Sequence, residues 1–336
     1  MSGGFRNVAV VGAGAWGTAL AQTLARAGLV PTLWAHRAET ARDINERHAN
    51  PVYLPDMPLD PSIRATADMR EAVAGKDMLL WATPAQPLRA TLSLAPLPKD
   101  VPLVIASKGI EGETCRLMSE IAGEVAPANP VAILSGPTFA REVALGRPTA
   151  VTLAGADGAL AAALAAACAT PTFRIYRSDD VVGAQIGGAV KNVVALACGI
   201  VAGRGLGDNA RAALMTRGLA EMVRLGTAKG GRAETLMGLT GLGDLALTCN
   251  NEQSRNMRLG IAIGRGMTRA GAVADPALRL GHAVVEGVEG ALSVGALASK
   301  LGVDMPICRT VARILHEDAD VGDAVAALLA RPLKDE

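Results

Sequence analysis

Residues 7–17 read NVAVVGAGAWG: a run of apolar residues at 8–11 passes directly into the loop Gly12-Ala13-Gly14-Ala15-Trp16-Gly17. A helical pattern follows, with alanines at 19, 21, 25 and 27, and stops at Gly28. A bare GxGxxG carries little information, but strand, loop and helix in this order make it a dinucleotide-binding turn. Gly12 permits the tight turn, Gly14 lets a pyrophosphate approach the backbone, and Gly17 lets the helix pack closely on the strand. The phosphates would sit at the helix N-terminus, where unpaired N–H groups and the helix dipole favour anions.

About twenty residues further on, an acid normally accepts bonds from the ribose 2′-hydroxyl of NAD. None is present. The second strand ends Leu33-Trp34-Ala35-His36-Arg37, and the first acid, Glu39, falls in the next helix. An imidazole and a guanidinium at this place suit a 2′-phosphate, so NADPH/NADP is expected to be used and preferred over NADH/NAD.

Outward from this motif, short β-rich runs at 7–11, 32–34, 78–81, 103–106, 132–134, 150–153 and 172–176 alternate with helical patterns. That alternation predicts a mostly parallel sheet covered by helices. After residue 180 only helical periodicity with glycine breaks remains, at 181–202, 209–229, 255–265, 288–300 and 305–316. The expected fold is a Rossmann-type α/β domain over residues 1–180, followed by an all-α substrate-binding and catalytic domain over 181–336.

The chain has 336 residues, half of them hydrophobic, with 33 basic and 32 acidic side chains in no long blocks. That balance offers no footprint for nucleic acid, so the expected partner is a small molecule. No signal-peptide pattern or uninterrupted apolar span argues for membrane insertion. Five scattered cysteines, an odd number, argue against a disulfide framework and a zinc site, and predict a reducing, cytoplasmic location. His36, His48, His282 and His316 lie far apart, without paired metal-ligand spacing. The apolar helical half makes a homodimer an open expectation.

Lys191 is the only charged residue between Asp180 and Arg204. Apolar surroundings lower a lysine's proton affinity toward neutrality, where it can serve as acid and base, although a structural ion pair would perturb it too. Asp244, in GLGDLALT, is a candidate partner. Lys108 falls just beyond one strand, and Ser135-Gly136-Pro137 makes a sharp turn beyond another, with Thr138 placed to cap the following helix. Open α/β sheets bind their ligands at these carboxyl ends of strands. Ser254-Arg255-Asn256, at an expected helix start, has the makings of a phosphate cradle.

These segments together resemble one family over nearly the whole length. GAGAWGTALA, SKGIE at 107–111, SGPTFAREVA, GGAVKNVVA, NARAALMTRGLAEM, GLGDLALTC, SRNMRLG and VVEG at 284–287 are similar to the successive signatures of bacterial NAD(P)-dependent sn-glycerol-3-phosphate dehydrogenase. The resemblance implies reversible reduction of dihydroxyacetone phosphate to sn-glycerol 3-phosphate, a phospholipid precursor. It implies Lys191 as proton donor and acceptor on the C2 oxygen, and Lys108 as a contact to both substrate and cofactor. It also implies Gly136, Thr138, Asp244, Ser254, Arg255 and Asn256 on the substrate side. Ala15, Trp16, Ala140, Val284 and Glu286 would line the cofactor, with Arg255 near the nucleotide as well. Positions 15 and 16 vary in the family, which leaves backbone binding intact.

Two other readings compete. A β-hydroxyacid dehydrogenase places an asparagine one helical turn after its lysine, whereas here position 195 is alanine and the asparagine is the adjacent Asn192. A non-catalytic NADPH sensor would keep the fold without turnover, and the joint presence of Lys108, Lys191, Asp244 and Arg255 speaks against it.

Overall fold

The computed structural model describes residues 4–278, 280 and 284–331. From the N-terminus run β1 (Asn7–Val11), α1 (Ala15–Arg26), β2 (Val30–Trp34), α2 (Ala38–Arg47), β3 (Ala49–Asn50), β4 (Leu54–Pro58), β5 (Arg64–Thr66) and α3 (Met69–Val73). Then come β6 (Met78–Trp81), α4 (Leu88–Leu94), β7 (Leu103–Ile105), α5 (Met118–Val125), β8 (Val131–Ser135), α6 (Ala140–Ala144), β9 (Thr149–Gly155), α7 (Gly158–Cys168) and β10 (Phe173–Ser178). Ten of these elements build one sheet or its small neighbour: the main sheet has the order β10-β9-β8-β7-β6-β1-β2-β5, and β3 pairs with β4 alone. All main-sheet pairs are parallel except β8 with β9. The order reverses between β1 and β6, where a doubly wound sheet opens its ligand crevice.

The central strands are apolar at successive positions because helices cover both faces; β6, MLLW, is buried throughout. β2 begins two residues earlier than the sequence predicts, and so includes Pro31. The Val30 N–H donates toward β1, to Arg6, so the N–H missing at Pro31 lies on the other side, before β5 begins to pair at Thr32. Strands β3, β4 and β5 were not expected: they are two, five and three residues long, too short and polar to show a period. β10 runs past its expected end at the sheet edge, where polar residues are tolerated.

The second half is helical among the described residues: α8 (Val181–Gly203), α9 (Asp208–Ala228), α10 (Ala233–Leu236), a π-helical turn at Leu239–Gly243, α11 (Asp244–Cys249), α12 (Arg255–Gly264), α13 (Arg269–Ala274), α14 (Glu286–Leu301), α15 (Pro306–His316) and α16 (Val321–Leu329). α8 is the axis. It is long and apolar enough to cross a membrane by length and composition, but it is buried within the protein. Asp180 starts it, accepting from the Gly183 N–H at 2.8 Å. Ile186, Val190, Val193, Val194 and Leu196 are at most 0% exposed, and each such burial contributes about 1.5–3 kcal/mol. All five cysteines are free, and His282 lies outside the described residues.

α8 and α12 meet backbone to backbone. A Cβ at Gly199 would overlap the Met257 carbonyl oxygen and lie 2.8 Å from Gly260 Cα. Backbone cannot yield there as a flexible side chain would. Gly199→Ala is therefore expected to destabilise the protein by about 1–3 kcal/mol, the usual range for overpacking. Urea unfolding would show a lower midpoint at unchanged slope; an unchanged midpoint would refute the close packing.

Candidate active site

Three adjacent strands deliver the N-terminal half of the site. Trp81 of β6, Ile105 of β7 and Ile133 of β8 are in register, so Thr83, Ser107 and Ser135 follow at equivalent places along the carboxyl edge. Ser107 Oγ donates to the Thr83 carbonyl at 2.6 Å, and the next residue is Lys108. The loop beyond is braced: Gln86 Nε2 donates to the Ile110 carbonyl at 3.0 Å, and Arg89 grips Glu111 with two bonds of 2.8 and 2.9 Å. Gly136, at φ +147°, makes the turn after β8. Its carbonyl accepts from Lys108 Nζ at 3.0 Å.

The helical half supplies the partner. Lys191 Nζ donates to Asp244 Oδ1 at 2.5 Å, and Lys108 Nζ donates to Asp244 Oδ2 at 2.7 Å. One carboxylate thus joins two ammonium groups from different halves of the chain. Asp244 is wholly buried and Lys191 is 7% exposed. Thr248 Oγ1 accepts from Lys191 Nζ at 3.1 Å while donating to the Asp244 carbonyl at 2.6 Å. Gly187 and Gly188, one turn before Lys191, make room: a Cβ at Gly187 would overlap the Thr240 carbonyl of the π turn, and one at Gly188 would press on the Lys108 stem and Ser135 Oγ at 3.3 Å.

Burial lowers the proton affinity of Lys191 to a pKa of about 8, with Asp244 opposing the shift and Lys108 adding to it. This is the range in which one side chain can both give and take a proton at ordinary pH.

A second network leads away from Lys191. Asn256 Nδ2 donates to Asn192 Oδ1 at 3.0 Å, and Asn256 Oδ1 accepts from the Gly287 N–H at 3.0 Å. Those bonds join α8, the start of α12 and the start of α14. Ser254 caps α12 by accepting from the Met257 N–H at 3.2 Å. Arg255 opens that helix, half-buried, its proton affinity lowered by burial and supported by Glu286. Glu286 is pushed up to about 7 by burial, against the opposing influence of the Ala85 N–H and Arg255. That N–H donates to Glu286 Oε1 at 3.3 Å and ties α14 to the loop after β6.

The glycine loop fits a dinucleotide. Gly12 has φ +116°, and a Cβ there would lie 2.9 Å from the Ala82 carbonyl. A Cβ at Gly14 would meet nothing within 4 Å, so this side of the loop is open to a phosphate. Gly14 caps α1 without a side-chain hydrogen bond, which leaves the first-turn N–H groups of Ala15, Trp16 and Gly17 free of a capping side chain. Trp16 Nε1, Thr83 Oγ1 and Ser135 Oγ are buried polar atoms without a protein partner, and Ala140 packs in the same apolar cluster as Ala15 and Trp16.

Other expected residues stand apart. His36 and Arg37 are exposed beyond β2; the imidazole makes an edge contact with Trp34 and Arg37 precedes α2. Val284 is 48% exposed. Thr138 does not cap the following helix as expected: α6 starts at Ala140, and Thr138 Oγ1 turns back to the Gly136 carbonyl at 3.3 Å. Phe139 stands between Thr138 and Ala140 and takes the N-cap position, so Thr138 is one position too early to act as the cap. The sequence reading missed Thr248, although its i+4 spacing from Asp244 puts both on one helix face.

The family described as NAD-dependent glycerol-3-phosphate dehydrogenase matches in two parts, its N-terminus over residues 7–161 and its C-terminus over residues 180–326. The glycerol-3-phosphate dehydrogenase [NAD(P)+] of Rhodospirillum rubrum is 57% identical over 98% of this chain and 94% of its own length. That of Caulobacter vibrioides is 52% identical over 99% of each. The crystal structure of glycerol-3-phosphate dehydrogenase from Coxiella burnetii superposes with a TM-score of 0.92 at 38% identity, covering 97% of this chain and 99% of that one.

The shared carboxylate sets the direction of one result. Asp244→Asn removes the charge that favours the ammonium form while Lys108 remains, so the Lys191 pKa is expected to fall further below about 8. Titrating the Lys191 Cε resonance by NMR would show it; a pKa that stays or rises would contradict the electrostatic role of Asp244.

Proposed function

The chain belongs to the NAD-dependent glycerol-3-phosphate dehydrogenase family, and from that premise we propose a reaction in which Lys191 is the acid and base. The substrate pair is dihydroxyacetone phosphate and sn-glycerol 3-phosphate, a supply for glycerophospholipid synthesis, with NADPH as the preferred cofactor over NADH. The observation that carries the reading is the Lys108–Asp244–Lys191 bridge at the carboxyl edge of the sheet, reached by chain segments from both halves.

The Lys191 ammonium polarises the C2 carbonyl and gives its proton to the oxygen, so that the developing alkoxide never carries a full charge. When bound, the nicotinamide supplies the hydride that C2 accepts. Asp244 and Thr248 hold Lys191 in place, and Lys108, fixed by Gly136 and Asp244, faces the same oxygen-rich substrate. Arg255 and the start of α12 hold the phosphate, with Gly136, Thr138, Ser254 and Asn256 shaping the surrounding surface. The reverse oxidation uses neutral Lys191 as base. A cytoplasmic location fits five free thiols, four of them buried. Position 195, where the hydroxyacid alternative needs an asparagine, is a buried alanine.

Four measurements test this reading. Lys191→Ala is expected to lower kcat by about 100-fold or more, the scale of a lost general acid, with NADPH affinity retained; near wild-type turnover would end the assignment. Since the ammonium is the donor, kcat/KM for reduction should decline as pH rises through the free-protein value of about 8, while kcat/KM for oxidation should rise through the same range. Absence of any NADPH consumption with dihydroxyacetone phosphate would favour the sensor, and tighter binding of NADH than NADPH would overturn the cofactor preference.

A further inference from the structure

Outside the strands and lysines already described, one side chain holds the glycine loop directly. Asn50 belongs to the small β3–β4 hairpin, not to the main sheet, and is 0% exposed. Its Nδ2 donates to the Ala13 carbonyl at 2.9 Å and to Thr18 Oγ1 at 2.8 Å. Its Oδ1 accepts from the Tyr53 N–H at 3.4 Å. A backbone carbonyl can only accept, so the nitrogen must face Ala13 and the amide has one sensible orientation.

Ala13 lies between Gly12 and Gly14. In a planar trans peptide the carbonyl of one residue and the N–H of the next point in opposite directions. Fixing the Ala13 carbonyl therefore fixes the Gly14 N–H, on the residue where a Cβ would meet only open space. Thr18 extends the hold, because its own N–H donates to the Gly14 carbonyl at 3.0 Å. Both peptide groups flanking Gly14 are thus tied, directly or through Thr18, to one side chain. The hairpin is itself anchored on two sides: Arg141 Nη1 donates to the Pro55 carbonyl at 2.9 Å, and the Asp60 N–H to Gln22 Oε1 of α1 at 2.8 Å.

We propose that Asn50 is a positioning residue for the dinucleotide, presetting the Ala13–Gly14 peptide and the first turn of α1 so that their N–H groups are aligned before the pyrophosphate arrives. Preset donors bind an anion without the cost of ordering them on binding. The inference rests on the dinucleotide reading of the glycine loop.

The test compares Asn50→Ala and Asn50→Asp with the wild-type protein. The aspartate keeps the shape, but its ionised carboxylate cannot donate and sets an oxygen against the Ala13 carbonyl. For Asn50→Ala the Kd for NADPH should rise about 10-fold, the scale of lost buried hydrogen bonds, and Asn50→Asp should lose more. The KM for NADPH should follow, while kcat and the KM for dihydroxyacetone phosphate stay within about twofold. The rise in Tm that NADPH produces should shrink in both variants, which a purely structural role would not cause. Val52→Ala, at the exposed hairpin tip, should leave all of these unchanged. A folded Asn50→Ala protein that binds NADPH as the wild type does would overturn the proposal, as would equal losses in kcat and both KM values. If Asn50→Ala does not fold, Asn50→Ser, whose hydroxyl is too short to serve both acceptors, takes its place under the same criteria. Failure of the wild-type protein to bind NADPH would instead remove the dinucleotide reading itself.

Discussion

The carboxylate of Asp244 sits between two ammonium groups in a place that water scarcely reaches, and the arrangement of the helical half answers to that demand. Burying an ion costs several kcal/mol unless partners with good geometry surround it. Asp244 has both lysines at 2.5 and 2.7 Å, and Thr248 beside it. Such closeness requires three backbones to converge. Gly187 and Gly188 thin the wall of α8, the π turn brings Asp244 to it, and the turn at Gly136 presents a carbonyl to Lys108. A larger residue at either glycine of α8 would separate charges that are tolerable only together.

The same convergence couples the two halves of the chain. The loop after β6 touches the cofactor side through Ala82 and Thr83, which crowd Gly12. It reaches the Lys108 loop through Gln86 and Ser107, and α14 through Ala85 and Glu286. One short segment thus contacts the glycine loop, the substrate-side lysine and the helical half. Arg255 and Glu286 add a second pair of opposite charges across the starts of α12 and α14, and their mutual support partly offsets the burial of both.

The sequence made the architecture legible wherever burial imposed a period. β1, β6, β7 and β8 are continuous apolar runs, and α8 is an apolar helix interrupted by one lysine, so both stood out. Strands β3 to β5 did not, because a two-residue strand and a polar three-residue strand have no period to read. Lys191, Lys108 and Asp244 were legible as charges, and Asp244 as a candidate partner of Lys191, which the structure bears out; the second arm of the bridge, from Lys108, was not, because it depends on the convergence of the π turn, the turn at Gly136 and the small Gly187 and Gly188. Asn50 was invisible for a related reason. An asparagine before a proline in a short hairpin looks like ordinary turn chemistry, and only the folded chain brings it to Ala13.

The charge balance of the site bears on the proposed chemistry. Lys108, Lys191 and Arg255 outnumber Asp244 and Glu286, and with Glu286 pushed up to about 7 by burial the positive excess grows further below that pH. A phosphate dianion entering beside Arg255 would compensate the excess and favour the charged form of Lys191. Its proton affinity, lowered by burial and by Lys108 in the free protein, would then recover when the substrate is present. The acid is needed protonated only when a carbonyl lies against it, so the substrate's own charge would help to set the protonation state that its reduction requires.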